Sequence, residues 1–134
     1  MEKNNQYDYI LQNGSAVLPT GIEKVDIGIK DGLIQEIGNL SDCSTDCCAD
    51  SVIDCKGLHI LPGVIDSQVH FREPGLENKE NLESGMKAAA AGGVTCVFEM
   101  PNTNPLTITP EAINDKLRRA SRVAWTDYAF YLGG

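Results

Sequence analysis

The residues best suited to chemistry fall in two short stretches, "DSQVHFREPG" from Asp66 to Gly75 and "EMPNTNP" from Glu99 to Pro105. On an extended strand residues i and i+2 share a face, so Gln68 and His70 should project together while Ser67 and Val69 face away. A second imidazole at position 68 would complete a metal-binding pair. The glutamine that stands there offers only a neutral amide oxygen, a much weaker donor to zinc. Asp66 is expected on the same face, where it could orient a ligand from behind or serve structure alone. Arg72 carries a planar fork that can hold a carboxylate through two hydrogen bonds, with a surface ion pair of small value as the alternative. In the second stretch, Pro101 and Pro105 bracket Asn102, Thr103 and Asn104, fixing a loop whose amide groups both donate and accept. A plain turn is the competing reading there, since Asn and Pro favour turns for local reasons.

The elements that would position these residues can be read from residue 63 onward. "VIDSQVHF" has strand character, and "KENLESGMKAAAAGG" reads as a helix closed by Gly92-Gly93, which suits a left-handed cap. "VTCVFEM" is a nearly continuous apolar strand of the parallel type. "TPEAINDKLRRAS" is a second helix, with Thr109 as N-cap, Pro110 at its first position, and Lys116, Arg118 and Arg119 placed toward its negative end. "DYAFYLGG" is a third strand. The order β-α-β-α-β implies a parallel α/β layout in which both candidate loops leave adjacent strands at the same end. Three parallel strands leave open edges and a half-covered core, and 134 residues fall short of the roughly 200 that a complete (β/α)₈ barrel needs. Residues 61–134 are therefore expected to form the first part of such a barrel.

Residues 1–60 read as a small, partial β-sandwich-like module. Turn signals stand at Asn13-Gly14 and Asp31-Gly32, and Val25, Ile27 and Ile29 alternate before the second turn. Such short strands need to pack on something else. The polar run from Leu40 to Ser51 reads as a loop, and His59 as a strand histidine facing solvent or a polar partner. Four cysteines, Cys43, Cys47, Cys48 and Cys55, crowd thirteen residues without the paired spacing of a structural zinc site, and free thiols in a reducing compartment are the expectation.

A net charge of -8 argues against nucleic-acid and anionic-membrane partners, which call for basic surfaces. Neither a long apolar run nor a basic leader is visible, so a cytoplasmic location is expected.

The run from Leu61 to Pro105, "LPGVIDSQVHFREPGLENKENLESGMKAAAAGGVTCVFEMPNTNP", resembles the N-terminal part of a dihydroorotase, in the cyclic amidohydrolase superfamily. The resemblance implies an incomplete TIM barrel of the amidohydrolase type behind a β module. It also implies a zinc-dependent hydrolase that interconverts dihydroorotate and N-carbamoyl-aspartate in pyrimidine biosynthesis. In the family, the arginine of "REPG" and the asparagine of "MPNT" hold the substrate carboxylate; here they are Arg72 and Asn102. Allantoinase-like and hydantoinase-like relatives, whose substrates lack that group, generally differ at these points. The family pattern Asp-x-His-x-His puts both histidines on zinc, so His70 is the metal ligand implied and Gln68 stands in place of the first. The remaining ligands and the aspartate base belong to later strands of the family, so no catalytic residue is assigned here. Non-catalytic relatives that assemble with aspartate transcarbamoylase, or a homodimer, are the partners that the resemblance adds, and the Gln68 replacement fits the former.

Overall fold

The computed structural model describes residues 6–42 and 48–134, in two compact units that meet between Pro62 and Gly63. In the first unit, seven strands are described: β1 (Tyr7–Gln12), β2 (Ser15–Leu18), β3 (Gly21–Lys24), β4 (Asp26–Lys30), β5 (Leu33–Gly38), β6 (Ala49–Asp54) and β7 (His59–Ile60). They form one sheet of order β5-β4-β1-β6 and another of order β3-β2-β7. Asp31 and Gly32 both take positive φ, 52° and 74°, which matches the twist of the β4–β5 hairpin they close. The chain also turns at Asn13, yet β1 and β2 lie in different sheets. Asn13 N–H donates to Asp26 Oδ1 at 3.0 Å and its amide to Asp54 Oδ1 at 2.9 Å, so the turn steers the chain between sheets instead of closing a hairpin. Tyr7, Ile10, Leu40 and Ala49 make the buried cluster of this unit.

The loop expected from Leu40 to Ser51 is shorter than its polar composition implied, because β6 already begins at Ala49. Cys43 and Cys47 lie outside the described residues; Cys48, Cys55 and Cys96 are free thiols. His59 sits on β7 and is exposed, as a solvent-facing strand histidine should be.

The second unit runs β8 (Val64–Val69), α1 (Leu82–Ala91), β9 (Val94–Glu99), α2 (Pro110–Val123) and β10 (Asp127–Phe130), with a parallel sheet of order β10-β9-β8. Both helix starts follow their local chemistry. Asn81 caps α1 by accepting from Ser84 N–H at 2.8 Å, and Thr109 caps α2 by accepting from Ala112 N–H at 3.2 Å. At the end of α1 the cap residue Gly92 remains right-handed, and the left-handed residue is Gly93 at φ 85°.

One apolar cluster gathers Phe71, Leu82, Met86, Val97 and Ala120 from the β8 loop, both helices and β9. Each large side chain buried in this way is worth roughly 1.5–3 kcal/mol. Phe71 can enter only because position 85 is glycine: a Cβ there would lie 2.3 Å from the Phe71 ring. Val64 and Ile65 on the open strand β8 stay 50% and 63% exposed, the half-covered condition expected of three parallel strands.

Lys116 departs from expectation. The sequence places it with Arg118 and Arg119 as a cation near the helix C-terminus, but α2 extends to Val123, its last-turn cation is Arg122, and Lys116 is fully buried in mid-helix. Arg118 and Arg119 both pair with Asp115 one turn back.

Candidate active site

Strand β8 ends at Val69, and the chain continues through His70 and Arg72 at the strand end. The β8–β9 register shifts between Asp66 and Val69, so the strict two-residue alternation breaks inside the motif. Asp66 is correspondingly turned to local use: its Oδ1 accepts from Gln68 N–H at 3.0 Å. This favours the structural role over the ligand-orienting one.

His70 Nδ1 lies 2.9 Å from Asn102 Oδ1, which joins the two candidate stretches side chain to side chain. A carbonyl oxygen only accepts, so in the neutral ring this contact is made by the Nδ1–H tautomer, in which Nε2 carries the free lone pair. The Asn102 amide retains its NH₂ donors for another partner. Sequence reasoning paired Asn102 with Arg72 and missed this contact.

Arg72 has φ 69°, in the left-handed region that a long side chain seldom occupies. Its N–H donates to Glu99 Oε1 at 3.2 Å. Its neighbour Glu73 faces elsewhere, accepting from Leu82 N–H at 3.0 Å at the start of α1 and pairing with Arg119 at 3.4 Å. No side-chain partner of the Arg72 guanidinium occurs among the described residues, so the surface ion pair weighed from the sequence does not form.

The two loops are locked to each other. Asn104 N–H donates to Pro74 O at 2.9 Å, and Gly75, at φ 90°, lies so close to Asn104 that a Cβ would fall 1.8 Å from its carbonyl oxygen. Within the second loop, Thr103 and Thr107 are buried. Their hydroxyls meet at 2.9 Å, Thr103 Oγ1 donates to Pro105 O at 2.8 Å, and the N–H groups of both reach Pro101 O at 2.9 Å. Asn102 is therefore presented by a turn that the two buried threonines tie together, more ordered than the proline bracket alone required.

Beneath the loops sits an ion pair that the sequence reading did not single out. Glu99 and Lys116 are 1% and 0% exposed and pair through Glu99 Oε2 and Lys116 Nζ. Lys116 also donates to Met100 O at 3.2 Å and lies 4.9 Å from the centre of the Phe130 ring. Burial pushes the Glu99 carboxyl above the usual carboxylate range, against the opposing pull of Lys116 and the Arg72 N–H. The available signal is an acidic residue at the end of the apolar strand β9, followed directly by Met100, since such residues are almost never buried without a partner.

The donor set can be compared with what a catalytic zinc requires. Such a site takes three strong protein ligands and an open position. Here the strand end presents one imidazole nitrogen and one neutral amide, and among the described residues no group of three or more His, Cys, Asp or Glu could hold a metal ion. These residues alone do not fit the group. The two abutting loops carry a guanidinium, an amide and an imidazole, groups whose chemistry suits an anion.

The ends of parallel strands where these two loops lie are the place at which α/β barrel enzymes build their active sites. A family model described as dihydro-orotase-like matches residues 57–132, and one described as the N-terminal domain of the urease alpha subunit matches residues 1–56. The chain belongs to the dihydro-orotase-like family of the cyclic amidohydrolase superfamily, as an N-terminal portion. An allantoinase of Desulfitobacterium hafniense is 40% identical over 96% of this chain and 28% of its own length. A dihydroorotase of Bacillus licheniformis is 44% identical over 87% of this chain and 26% of its own. Among solved structures, the L-hydantoinase (dihydropyrimidinase) of Arthrobacter aurescens superposes with a TM-score of 0.85 at 36% identity, over 96% of this chain and 28% of that one. The chain thus spans a little over a quarter of the length of these relatives. Their names differ while their identities are similar, so overall identity does not select a substrate. Among the described residues, no helix is long and apolar enough to cross a membrane.

Proposed function

We infer that this chain is the carboxylate-recognising portion of a dihydroorotase-type cyclic amidohydrolase, whose complete form interconverts dihydroorotate and N-carbamoyl-aspartate. Residues 61–134 are then the first β-α-β-α-β part of its (β/α)₈ barrel, and residues 1–60 a partial β-sandwich-like module. The observation that carries this reading is the locked pair of loops: Arg72 and Asn102 leave adjacent parallel strands, and Asn104 and Pro74 hold the loops together at 2.9 Å. Arg72 would take the substrate carboxylate as a fork, Asn102 would add an amide donor, and His70, oriented by Asn102, would offer Nε2 to a metal completed by ligands from elsewhere.

Gln68 supports a second reading, a non-catalytic homologue that partners aspartate transcarbamoylase. The two separate on a protein extended through the natural reading frame, assayed for bound zinc and for cyclisation of N-carbamoyl-aspartate. Zinc with activity supports the enzyme; neither, together with co-purification of the transcarbamoylase, supports the partner. Hydrolysis of allantoin or hydantoin without action on dihydroorotate would overturn the substrate assignment.

A further inference from the structure

Lys116 and Glu99 are directed at the backbone of the two ligand loops. Lys116 Nζ makes an ion pair with Glu99 Oε2, donates to Met100 O at 3.2 Å and lies 4.9 Å from the centre of the Phe130 ring. Glu99 spends its other oxygen on Arg72 N–H at 3.2 Å. Met100 stands two residues before Asn102, and Arg72 two residues after His70. A buried ion pair is weak grounds for stability, because apolar residues of similar volume often serve as well. A pair whose contacts converge on two loop backbones does something that apolar residues cannot, since only a hydrogen-bond acceptor can meet Arg72 N–H in its left-handed conformation.

We propose that Glu99 and Lys116 are positioning residues that fix Arg72 and Asn102 for a ligand carboxylate, Glu99 by holding the Arg72 backbone and Lys116 by tying Glu99 to the Met100 carbonyl. The inference rests on the reading of Arg72 and Asn102 as ligand-binding groups. It predicts selectivity: loosening the clamp weakens ligands that carry a carboxylate and leaves those without one unchanged, because only the former use the Arg72 fork.

The test uses the 134-residue chain with N-carbamoyl-L-aspartate and dihydrouracil as probes, and amide hydrogen exchange at Arg72 as an independent readout. In the parent, Arg72 N–H is protected; Glu99→Gln keeps a neutral acceptor and retains protection, while Glu99→Leu loses it. Glu99→Leu and Lys116→Met each weaken N-carbamoyl-aspartate about tenfold, leave dihydrouracil unchanged, and add nothing in an Arg72→Gln background. Should Glu99→Leu not fold by circular dichroism, Lys116→Met carries the same comparison. Equal weakening of both probes, or an undiminished effect in the Arg72→Gln background, overturns the proposal in favour of a merely structural pair. Free-chain exchange at Arg72 in the parent overturns it as well. A parent that binds neither probe, also when extended through its natural reading frame, defeats the substrate reading, and the exchange result then decides whether the clamp exists.

Discussion

Replacing Lys116 by methionine keeps an unbranched stem of similar volume but strands the Glu99 carboxylate, which is 1% exposed. Losing one partner of a buried pair typically costs about 3–5 kcal/mol. The carboxyl has an escape, since it can take up a proton. An unperturbed glutamate titrates near ~4.3, and each pH unit is worth ~1.36 kcal/mol, so protonating it at pH 7 sets a ceiling of about 3.7 kcal/mol on the charge penalty. The sign follows from linkage. Burial already raises the folded carboxyl in the parent, and loss of Lys116 raises it further in the variant, so the extra penalty is full at high pH, shrinks as pH falls through the variant's folded pKa, and is gone once the carboxyl is protonated in both folded proteins. Urea unfolding of the parent and Lys116→Met, followed by the fluorescence of the single tryptophan, Trp125, in the second unit, measures the difference directly. The expected loss is about 3 kcal/mol at pH 7, falling toward pH 5 by up to about 1.4 kcal/mol per unit. A loss below about 1 kcal/mol, or one that does not change with pH, would refute the reasoning, because the pair would then be solvated.

Three other outcomes follow from the site and its supports. Gly75→Ala should be severely destabilising, about 2 kcal/mol or more in the same unfolding experiment, because the new Cβ meets the Asn104 carbonyl at 1.8 Å and φ is 90°. Thr109→Ala should lose about 1 kcal/mol with the α2 cap, as its hydroxyl is the acceptor for Ala112 N–H. Asn102→Ala should release His70 from the Nδ1-protonated form, visible as a change in its ring nitrogen chemical shifts at pH 8; unchanged shifts would show that the 2.9 Å contact does not set the tautomer.

Much of this was legible in the sequence because it depends on local rules. The Thr109–Pro110 start of α2, the Asn-bearing loop between two prolines and the parallel order of the last three strands all follow from capping, turn chemistry and apolar runs. What escaped depends on partners distant in sequence. Lys116 reads in sequence as an ordinary helix cation, and only the fold brings it to Glu99, seventeen positions earlier. Asp66 seemed to share a face with His70 until the register shift in β8 removed the alternation on which that inference rested. Asn13-Gly14 carried a turn signal, but only the bonds to Asp26 and Asp54 reveal which sheets it joins. The left-handed conformation of Arg72 left no mark on composition either, since arginine is not a residue type that announces it.

The most direct measurement of the central claim is calorimetric titration of dihydroorotate and of hydantoin into the protein extended through its natural reading frame, for the parent and for Arg72→Gln. The account predicts that the parent prefers dihydroorotate, and that Arg72→Gln loses that preference while hydantoin affinity is unchanged. A parent that binds hydantoin at least as well, or an Arg72→Gln variant with its preference intact, would contradict it.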